Sequence, residues 1–298
     1  MMKRIAISAA AFLLMLLLGM GLVNPAFAEG TAPIAENLEL RTYRGVSVGG
    51  QLSAYDPDGD VVSFEITTKP VKGSIELRED GSFVYTPKEK KRGRDYFGYK
   101  AKDAEGNLSQ EATVLISIAR QKQQVIYEDM TGRAGGYAAA ELCESGLFIG
   151  DKIGGSYCFH PDRSVTRGEF LRLCMLATGQ PLLEGVMRSG YSDDASFSPE
   201  LRQLAATAAM TGVSRSAGSL SPEDLLSKGE AASMLNAALG LPDVSDAASE
   251  SGSETLQACM NLRSVGILRG DYPYGDPLSR EEAAQMLVKA METLDRRS

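Results

Sequence analysis

The chain has 298 residues, a formal net charge of −8 and an apolar fraction of 43%. This length exceeds one average domain and the apolar fraction can supply real hydrophobic cores, so we expect two or three folded units. An acidic chain without a basic stripe is poorly suited to nucleic acid, whose phosphates attract Lys and Arg, so we expect no nucleic-acid partner.

Residues 1–28 have the pattern of an export signal. Two basic residues precede an apolar run from Ile5 to Val23, and the small-x-small triplet Ala26-Phe27-Ala28 precedes Glu29. This order predicts cleavage before Glu29, and an uncleaved membrane anchor is the alternative. Because no second apolar run of about twenty residues follows, we expect a secreted chain without a membrane partner after cleavage.

Residues 32–119 consist of short alternating runs, such as "VVSFEITT" and "GSFVYTP", separated by clusters of Gly, Pro, Asp and Asn. Period-two patterning with frequent turns predicts an antiparallel β-sandwich of about seven strands. Residues 120–124, "RQKQQ", form a polar linker, and from Val125 onward the apolar period is helical.

Three sequence segments of the predicted sandwich resemble the bacterial cadherin-like or Ig-like modules of surface proteins. They are "DPDGD" at 56–60, "DGSFVYTP" at 80–87 and "GRDYFGY" at 93–99. The resemblance implies a spacer or adhesion module without catalysis.

The segment at 56–60 also has features of a calcium-binding loop. Asp56, Asp58 and Asp60 alternate as they do at the start of a calcium loop, but the twelfth position, which needs an acidic residue, is Thr67. An Asp-Gly turn with Asx-type hydrogen bonds is therefore our first interpretation. A weak calcium site, completed by distant loops such as those of Asp95 or Asp103, is the alternative.

A short motif recurs three times in the helical region, each time before an apolar helical run. A Ser or Thr is followed three residues later by Glu, which is the pattern of a capping box. Three helices are therefore predicted to begin at the pairs Thr166 and Glu169, Ser227 and Glu230, and Ser279 and Glu282.

The capping box does not explain the cation inside each motif. Arg167, Lys228 and Arg280 fall in the first helical turn, where the helix dipole disfavours a cation by a few tenths of a kcal/mol to about 1 kcal/mol. A helix start that adds Arg to its free amides is an anion site, and solvent exposure at a small penalty is the alternative. Recurrence at one register favours a binding role.

Each motif belongs to a repeat of helix, loop and second helix, of roughly fifty to sixty residues. The units span residues 125–182, 189–241 and 242–298. They resemble S-layer homology modules, whose pattern is aromatic-x-Asp, helix, Gly-Ile-x-x-Gly, loop, Phe-x-Pro and Thr-Arg-x-Glu. This resemblance implies an all-α pseudo-threefold bundle whose grooves bind secondary cell-wall polysaccharide, often pyruvylated, at the wall of a Gram-positive-type bacterium.

The resemblance also implies binding residues. The family's ligand-binding Arg corresponds to Arg167 and Arg280, with Lys228 as a weaker substitute. Its Asp, which can accept hydrogen bonds from sugar hydroxyls, corresponds to Asp129, Asp193 and Asp246. Its Gly, which lets the backbone approach the sugar, corresponds to Gly150 and Gly270. For each Asp, a helix or turn cap is an equal alternative.

The repeats depart from the family pattern in several places. Arg133-Ala134 stands where His-Trp is usual, and the chain has no Trp. The second unit has Lys for Arg, Ser216 for the second Gly and no clear Phe-x-Pro, and the third unit also lacks Phe-x-Pro. We therefore expect site quality to decrease in the order first, third, second unit.

Four cysteines could form two disulfides in three connectivities. Cys143, Cys174 and Cys259 lie in apolar helical patterns and are predicted to be free core residues, while Cys158, in a loop, is the expected partner of any bridge that forms.

Enzymatic interpretations have little support in the sequence. The only histidine is His160, and neither a zinc-site spacing nor a G-x-S-x-G, H-E-x-x-H or phosphate-loop motif is present. We therefore expect a noncatalytic secreted surface protein anchored to the wall. An adhesin whose sandwich binds a protein or glycan is the alternative, and a wall-active glycoside hydrolase with a carboxylate pair is a lesser one.

Overall fold

The computed structural model describes residues 30–60, 62–214, 218–244, 253–270 and 272–297. The predicted export signal and Asp246 lie outside these residues. None of the described helices is both long and apolar enough to cross a membrane.

The N-terminal region is an all-β, sandwich-like unit, as the alternating pattern predicts. A four-stranded sheet has the order β2-β9-β8-β5, a three-stranded sheet has the order β3-β7-β6, and β1 pairs with β4. The strands are β1 (Ile34–Ala35), β2 (Leu38–Tyr43), β3 (Val48–Gln51), β4 (Ala54–Tyr55), β5 (Ser63–Thr68), β6 (Gly73–Leu77), β7 (Ser82–Pro87), β8 (Gly93–Lys102) and β9 (Ala112–Ala119).

One pairing corrects the expectation of a purely antiparallel sandwich. Strand β2 runs parallel to β9, with a register from Leu38 opposite Val114 to Tyr43 opposite Ala119. The other pairings of this region are antiparallel. Alternation of apolar and polar residues indicates on which face of the sheet a side chain lies, but not the direction of the neighbouring strand. The sequence pattern therefore could not distinguish parallel from antiparallel pairing.

Buried aromatic residues join the two larger sheets. Phe83 of β7 and Phe97 of β8 meet edge to face with ring centroids 5.2 Å apart. Tyr85, fully buried, donates its hydroxyl to Asp95 at 2.7 Å, and Asp95 also accepts the amides of Val71 and Lys72. Asp95 is therefore occupied as a structural acceptor, which counts against a calcium role.

The C-terminal region is helical. Within the described residues its α-helices are α1 (Gly136–Glu144), α2 (Arg167–Ala177), α3 (Pro199–Thr211), α4 (Lys228–Leu239), α5 (Glu254–Ser264) and α6 (Arg280–Asp295). A hairpin of β10 (Asp151–Ile153) and β11 (Ser156–Cys158) lies in the first unit, so this region is not all-α. Gly154 and Gly155, both at positive φ, form the turn of that hairpin.

The three predicted capping boxes are confirmed. Helices α2, α4 and α6 follow Thr166, Ser227 and Ser279, and each of these hydroxyls accepts the amide of the Glu three residues on. In return, one carboxylate oxygen of each Glu accepts the backbone amide of its capping residue. The other oxygen of each Glu remains available to a cation.

A closed ring of backbone hydrogen bonds joins the three capped helix starts. Val165 N–H donates to Leu278 O at 3.0 Å, Leu278 to Leu226 O at 2.9 Å, and Leu226 to Val165 O at 3.0 Å. The three side chains are buried at the centre. The ring gives the helical region a quasi-threefold arrangement, and each helix start lies against the loop of another unit.

The thiols are free, as predicted for three of them. Cys143, Cys174 and Cys259 are buried and Cys158 is half-buried. Burial raises the pKa of Cys174 to about 12, so this thiol is inert at neutral pH.

The sandwich packs directly on the first helical unit. Tyr43 donates its hydroxyl to Glu141 Oε2 at 2.6 Å, and its ring lies 5.7 Å from that of Tyr137. Gly49 N–H donates to Ala134 O at 2.9 Å. Tyr137 contacts both hydrophobic cores, so the two regions share packing as well as hydrogen bonds.

The polar segment 120–124 is also fixed. The amides of Lys122 and Gln123 donate to the two carboxylate oxygens of Glu144 at 2.7 and 2.8 Å. The buried side chain of Gln121 donates to Val125 O at 2.7 Å. These bonds tie the connection between the two regions to the first helical unit.

Candidate functional site

The three motif cations lie at the junctions between units. The guanidinium of Arg167 already has hydrogen-bond partners within the chain. Its Nη1 donates to Leu220 O at 2.9 Å and to Ser221 O at 3.2 Å. Its Nη2 donates to Glu230 Oε1 at 2.8 Å. Burial alone would raise the pKa of Glu230, but the bonds from Ser227 and Arg167 outweigh it and hold that pKa below its ordinary value.

Lys228 has a similar internal partner. Its ammonium forms an ion pair with Glu282 Oε1 and lies 6.0 Å from the ring centroid of Tyr272. Burial alone would raise the pKa of Glu282, but the bonds from Lys228 and Ser279 hold it below its ordinary value. Two of the three cations are therefore neutralised by carboxylates of this chain.

Arg280 differs from the other two cations. It is only 6% exposed, its Nη1 donates to Phe159 O at 2.7 Å, and its guanidinium lies 5.0 Å from the ring centroid of Phe148. Among the described residues, no carboxylate oxygen lies within salt-bridge distance of its nitrogens. Burial, and then the nearby charge of Arg163, lower the pKa of Arg280.

A cavity of about 160 Å³ opens beside Arg280. Phe148, Phe159 and Leu142 contribute its apolar wall, while Glu169 and Arg172 add charged groups. The combination of an apolar wall with one buried, unpaired guanidinium can receive a small anionic group and an adjoining apolar surface.

The motif carboxylates Asp129 and Asp193 hold the loops of their own units. Asp129 accepts the amides of Phe159 and His160 at 2.7 to 3.0 Å. Asp193 accepts those of Leu220 and Ser221 at 3.0 and 2.8 Å. This geometry is the capping alternative, because the oxygens that would meet a sugar hydroxyl already bind the backbone.

The motif glycines have different surroundings. Gly150 has φ of +77°, and a Cβ there would lie 2.6 Å from Cys158 O and 2.8 Å from the ring of Tyr127. Gly270 has φ of +61° and no other atom near its missing Cβ. Gly150 therefore permits packing within its own unit, whereas Gly270 leaves open space.

The sequence reading missed the second unit's counterpart of Phe-x-Pro. Leu220-Ser221-Pro222 is held by Asp193 as Phe159-His160-Pro161 is held by Asp129. The available signal was spacing, because Pro161 and Pro222 each lie six residues before the motif cation of their unit. It also missed Phe148 and Arg163, which have no distinctive spacing.

The Asp-Gly segment of the sandwich is a turn. Asp56 Oδ1 accepts the amides of Asp58 and Asp60 at 2.9 and 3.2 Å, which is the Asx pattern. Asp103 similarly accepts the backbone and side-chain amides of Asn107. Across the described residues, no group of three or more His, Cys, Asp or Glu side chains is placed to hold a metal ion. Asp56 Oδ1 therefore makes the contacts of the turn interpretation, while the buried Asp56 Oδ2 has no hydrogen-bond partner, so the calcium alternative stays a prediction.

His160 and Cys158 lie close together in the chain but lack the features of a catalytic pair. His160 Nε2 lies 3.2 Å from Asp151 Oδ2. Desolvation, followed by the charges of nearby carboxylates, raises the pKa of Cys158, which opposes formation of a nucleophilic thiolate.

Comparison with known proteins identifies the N-terminal region. The family described as bacterial cadherin-like domain matches residues 30–120. No curated protein matches the chain.

Similar solved structures align with about a third of the chain. The SrpA adhesin from Streptococcus sanguinis is 18% identical, with 34% of this chain and 67% of that chain covered and a TM-score of 0.27. Human Protocadherin-24 EC1-2 is 20% identical, with 30% and 53% covered and a TM-score of 0.25. The endo-fucoidan hydrolase MfFcnA4 is 19% identical, with 32% and 14% covered and a TM-score of 0.26, so this chain spans only a small part of that enzyme. Residues 30–120 form a bacterial cadherin-like domain, which is compatible with a surface or adhesion role.

Proposed function

We propose that this is a noncatalytic secreted surface protein that three S-layer homology modules anchor to the cell wall of a Gram-positive-type bacterium. In this proposal the modules bind secondary cell-wall polysaccharide, often pyruvylated, and the cadherin-like domain serves as a spacer or adhesion module. The repeated motifs and the quasi-threefold ring of the helical region support the assignment to this family.

The observation that carries the proposal is the state of Arg280. A buried guanidinium is costly unless a negative charge compensates it, and no carboxylate of the described chain does so. It stands at the start of α6, where the amides of Arg280, Glu281 and Glu282 already donate to Arg163 O, Pro161 O and Ser279 Oγ, so the guanidinium itself is the group that can receive an anion. An acidic group on a glycan would supply the charge, and the sugar's apolar face would pack on the aromatic wall of the cavity.

This geometry ranks the grooves differently from the sequence. The motif alone places the first unit first, but Arg167 and Lys228 already have internal partners while Arg280 does not. We therefore assign the principal contact to the groove between the third unit's Arg280 and the first unit's Phe148 and Phe159.

Co-sedimentation with purified cell walls tests the proposal. The chain from Glu29 to Ser298 is mixed with intact walls and with walls from which the polysaccharide has been chemically removed. We expect binding to intact walls and little binding to stripped ones. Equal binding to both, or none to either, would contradict anchoring through polysaccharide. An assay for released reducing sugar on the same walls tests the hydrolase alternative, and we expect no release.

An adhesin role for the sandwich is the second candidate. Ile34 and Tyr55 pair across β1 and β4 and are 59% and 62% exposed. They lie at the opposite end of β2 from the contacts made by Tyr43. If the sandwich binds a protein or glycan partner there, the chain will capture that partner in the absence of wall polysaccharide, and Tyr55→Ser will weaken the capture without affecting binding to intact walls.

A further inference from the structure

The three capping-box glutamates use their oxygens in the same way, with one informative difference. Each Oε2 accepts its own capping amide. The Oε1 atoms of Glu230 and Glu282 then pair with the motif cation of the preceding unit, Arg167 and Lys228 respectively. By the quasi-threefold symmetry, Oε1 of Glu169 should pair with Arg280.

Glu169 does not make that pair. Its Oε1 instead accepts a hydrogen bond from Arg163 Nη2 at 2.9 Å. The corresponding positions in the other units are Asp224 and Asp276, since the backbone oxygens of all three accept the amide of a motif cation. An Asp at this position cannot attract the neighbouring Glu, whereas Arg163 can.

The other acidic groups near Arg280 are also engaged. Glu281, the next residue, accepts from Arg133 Nε at 2.7 Å and from the amide of Gly135. Asp151 lies beside His160, and Asp129 binds the amides of the following loop. Arg280 therefore faces its cavity without an internal counterion.

We propose that Arg163 keeps the Arg280 groove open to an anion by diverting Glu169, whereas Glu230 closes the Arg167 groove from within. Arg163 is a positioning residue in this scheme, and of the three motif cations only Arg280 offers a ready anion site. The inference rests on the proposed function, because it names which groove serves the wall ligand. It also implies that an external anion can bind Arg167 only by displacing the internal carboxylate of Glu230.

Side-chain NMR of the arginines tests the inference directly. The chain from Glu29 to Ser298, labelled with ¹⁵N-arginine, is titrated with sodium pyruvate, a carboxylate beside a methyl group, against sodium chloride at equal ionic strength. Signals of Arg167 and Arg280 are assigned with Arg→Lys variants. We expect pyruvate to shift the Arg280 signal and to leave the Arg167 signal unchanged.

Three variants then test the roles of Arg163, Glu169 and Glu230. Arg163→Gln should release Glu169 to pair with Arg280 and weaken the pyruvate response of Arg280 about tenfold, the effect of roughly one charge-assisted hydrogen bond. Adding Glu169→Gln should restore that response, which a merely structural effect of Arg163 would not allow. Glu230→Gln together with Asp224→Asn, which removes the second carboxylate near Arg167 at 3.8 Å, should make Arg167 respond. Gln retains the capping box in both cases, so the helix starts are preserved.

The outcomes separate this inference from the proposed function. Equal responses of Arg167 and Arg280 in the wild type, or no response of either, would overturn the inference even if the chain binds intact walls. A response of Arg280 alone, with the variant effects above, supports the inference even if co-sedimentation shows no wall binding. Failure of the double variant to recover would likewise contradict the role assigned to Arg163.

Discussion

The junction between the sandwich and the helical region leaves no room for a side chain at Gly49. A Cβ there would lie 2.6 Å from Ala134 Cβ and 3.0 Å from Ala134 Cα, well inside van der Waals contact. Overpacking against backbone costs about 2 kcal/mol, and weakening of the Gly49 to Ala134 hydrogen bond adds about 1 kcal/mol. We therefore expect Gly49→Ala to lower the free energy of unfolding by about 3 kcal/mol.

Differential scanning calorimetry and hydrogen exchange measure this effect. If the docked regions unfold together, the expected loss corresponds to roughly 6–12 °C in Tm for a chain of this size. Amide exchange should also accelerate at Gly132, whose N–H donates to Ser47 Oγ at 2.9 Å across the same junction.

Gly275→Ala is the matched control for this substitution. Gly275 has no positive φ, and no other atom lies near its missing Cβ, so the same change should be almost neutral. If Gly49→Ala shifts Tm as little as Gly275→Ala does, and exchange at Gly132 is unaltered, the sandwich is not docked as described.

Three further predictions concern hydrogen bonds and charges. Tyr43→Phe should cost about 1–2 kcal/mol in urea unfolding, because Glu141 loses its donor, and an unchanged midpoint would refute that contact. Ser227→Ala should cost about 1 kcal/mol through loss of its cap, which thermal unfolding monitored by circular dichroism would detect. The pKa of Glu230 is lowered in the fold, so its stabilisation is present above the ordinary Glu value and is lost as pH falls through the lowered value. Arg167→Gln should flatten the dependence of Tm on pH in this acidic range, and an unaltered slope would contradict the ion pair.

Local features were predictable from the sequence where their cause is local. The hydroxyl and Glu of each capping box are three residues apart, and the structure places helix starts at all three. The alternation of apolar residues similarly indicates the strands of the sandwich. The parallel pairing of β2 with β9 was not predictable, because it joins residues 76 positions apart in the chain and leaves the alternation of both strands unchanged.

The candidate site depends on contacts between units, which a repeat pattern does not encode. Arg167 and Arg280 occupy the same register, yet one has a carboxylate partner and the other does not. The difference comes from Arg163, which reads in the sequence as an ordinary charged loop residue. The motif predicted a cation at the start of each capped helix, but only the spatial partners of these cations distinguish an unpaired one from a paired one.

The binding isotherm of Arg280→Gln on intact walls tests the central claim most directly. Arg188→Gln, at an exposed position, is the control because it makes the same change in net charge. We expect Arg280→Gln to weaken wall binding about tenfold or more and Arg188→Gln to leave it nearly unchanged. Wall binding that is equally strong in both variants would contradict anchoring through the Arg280 groove.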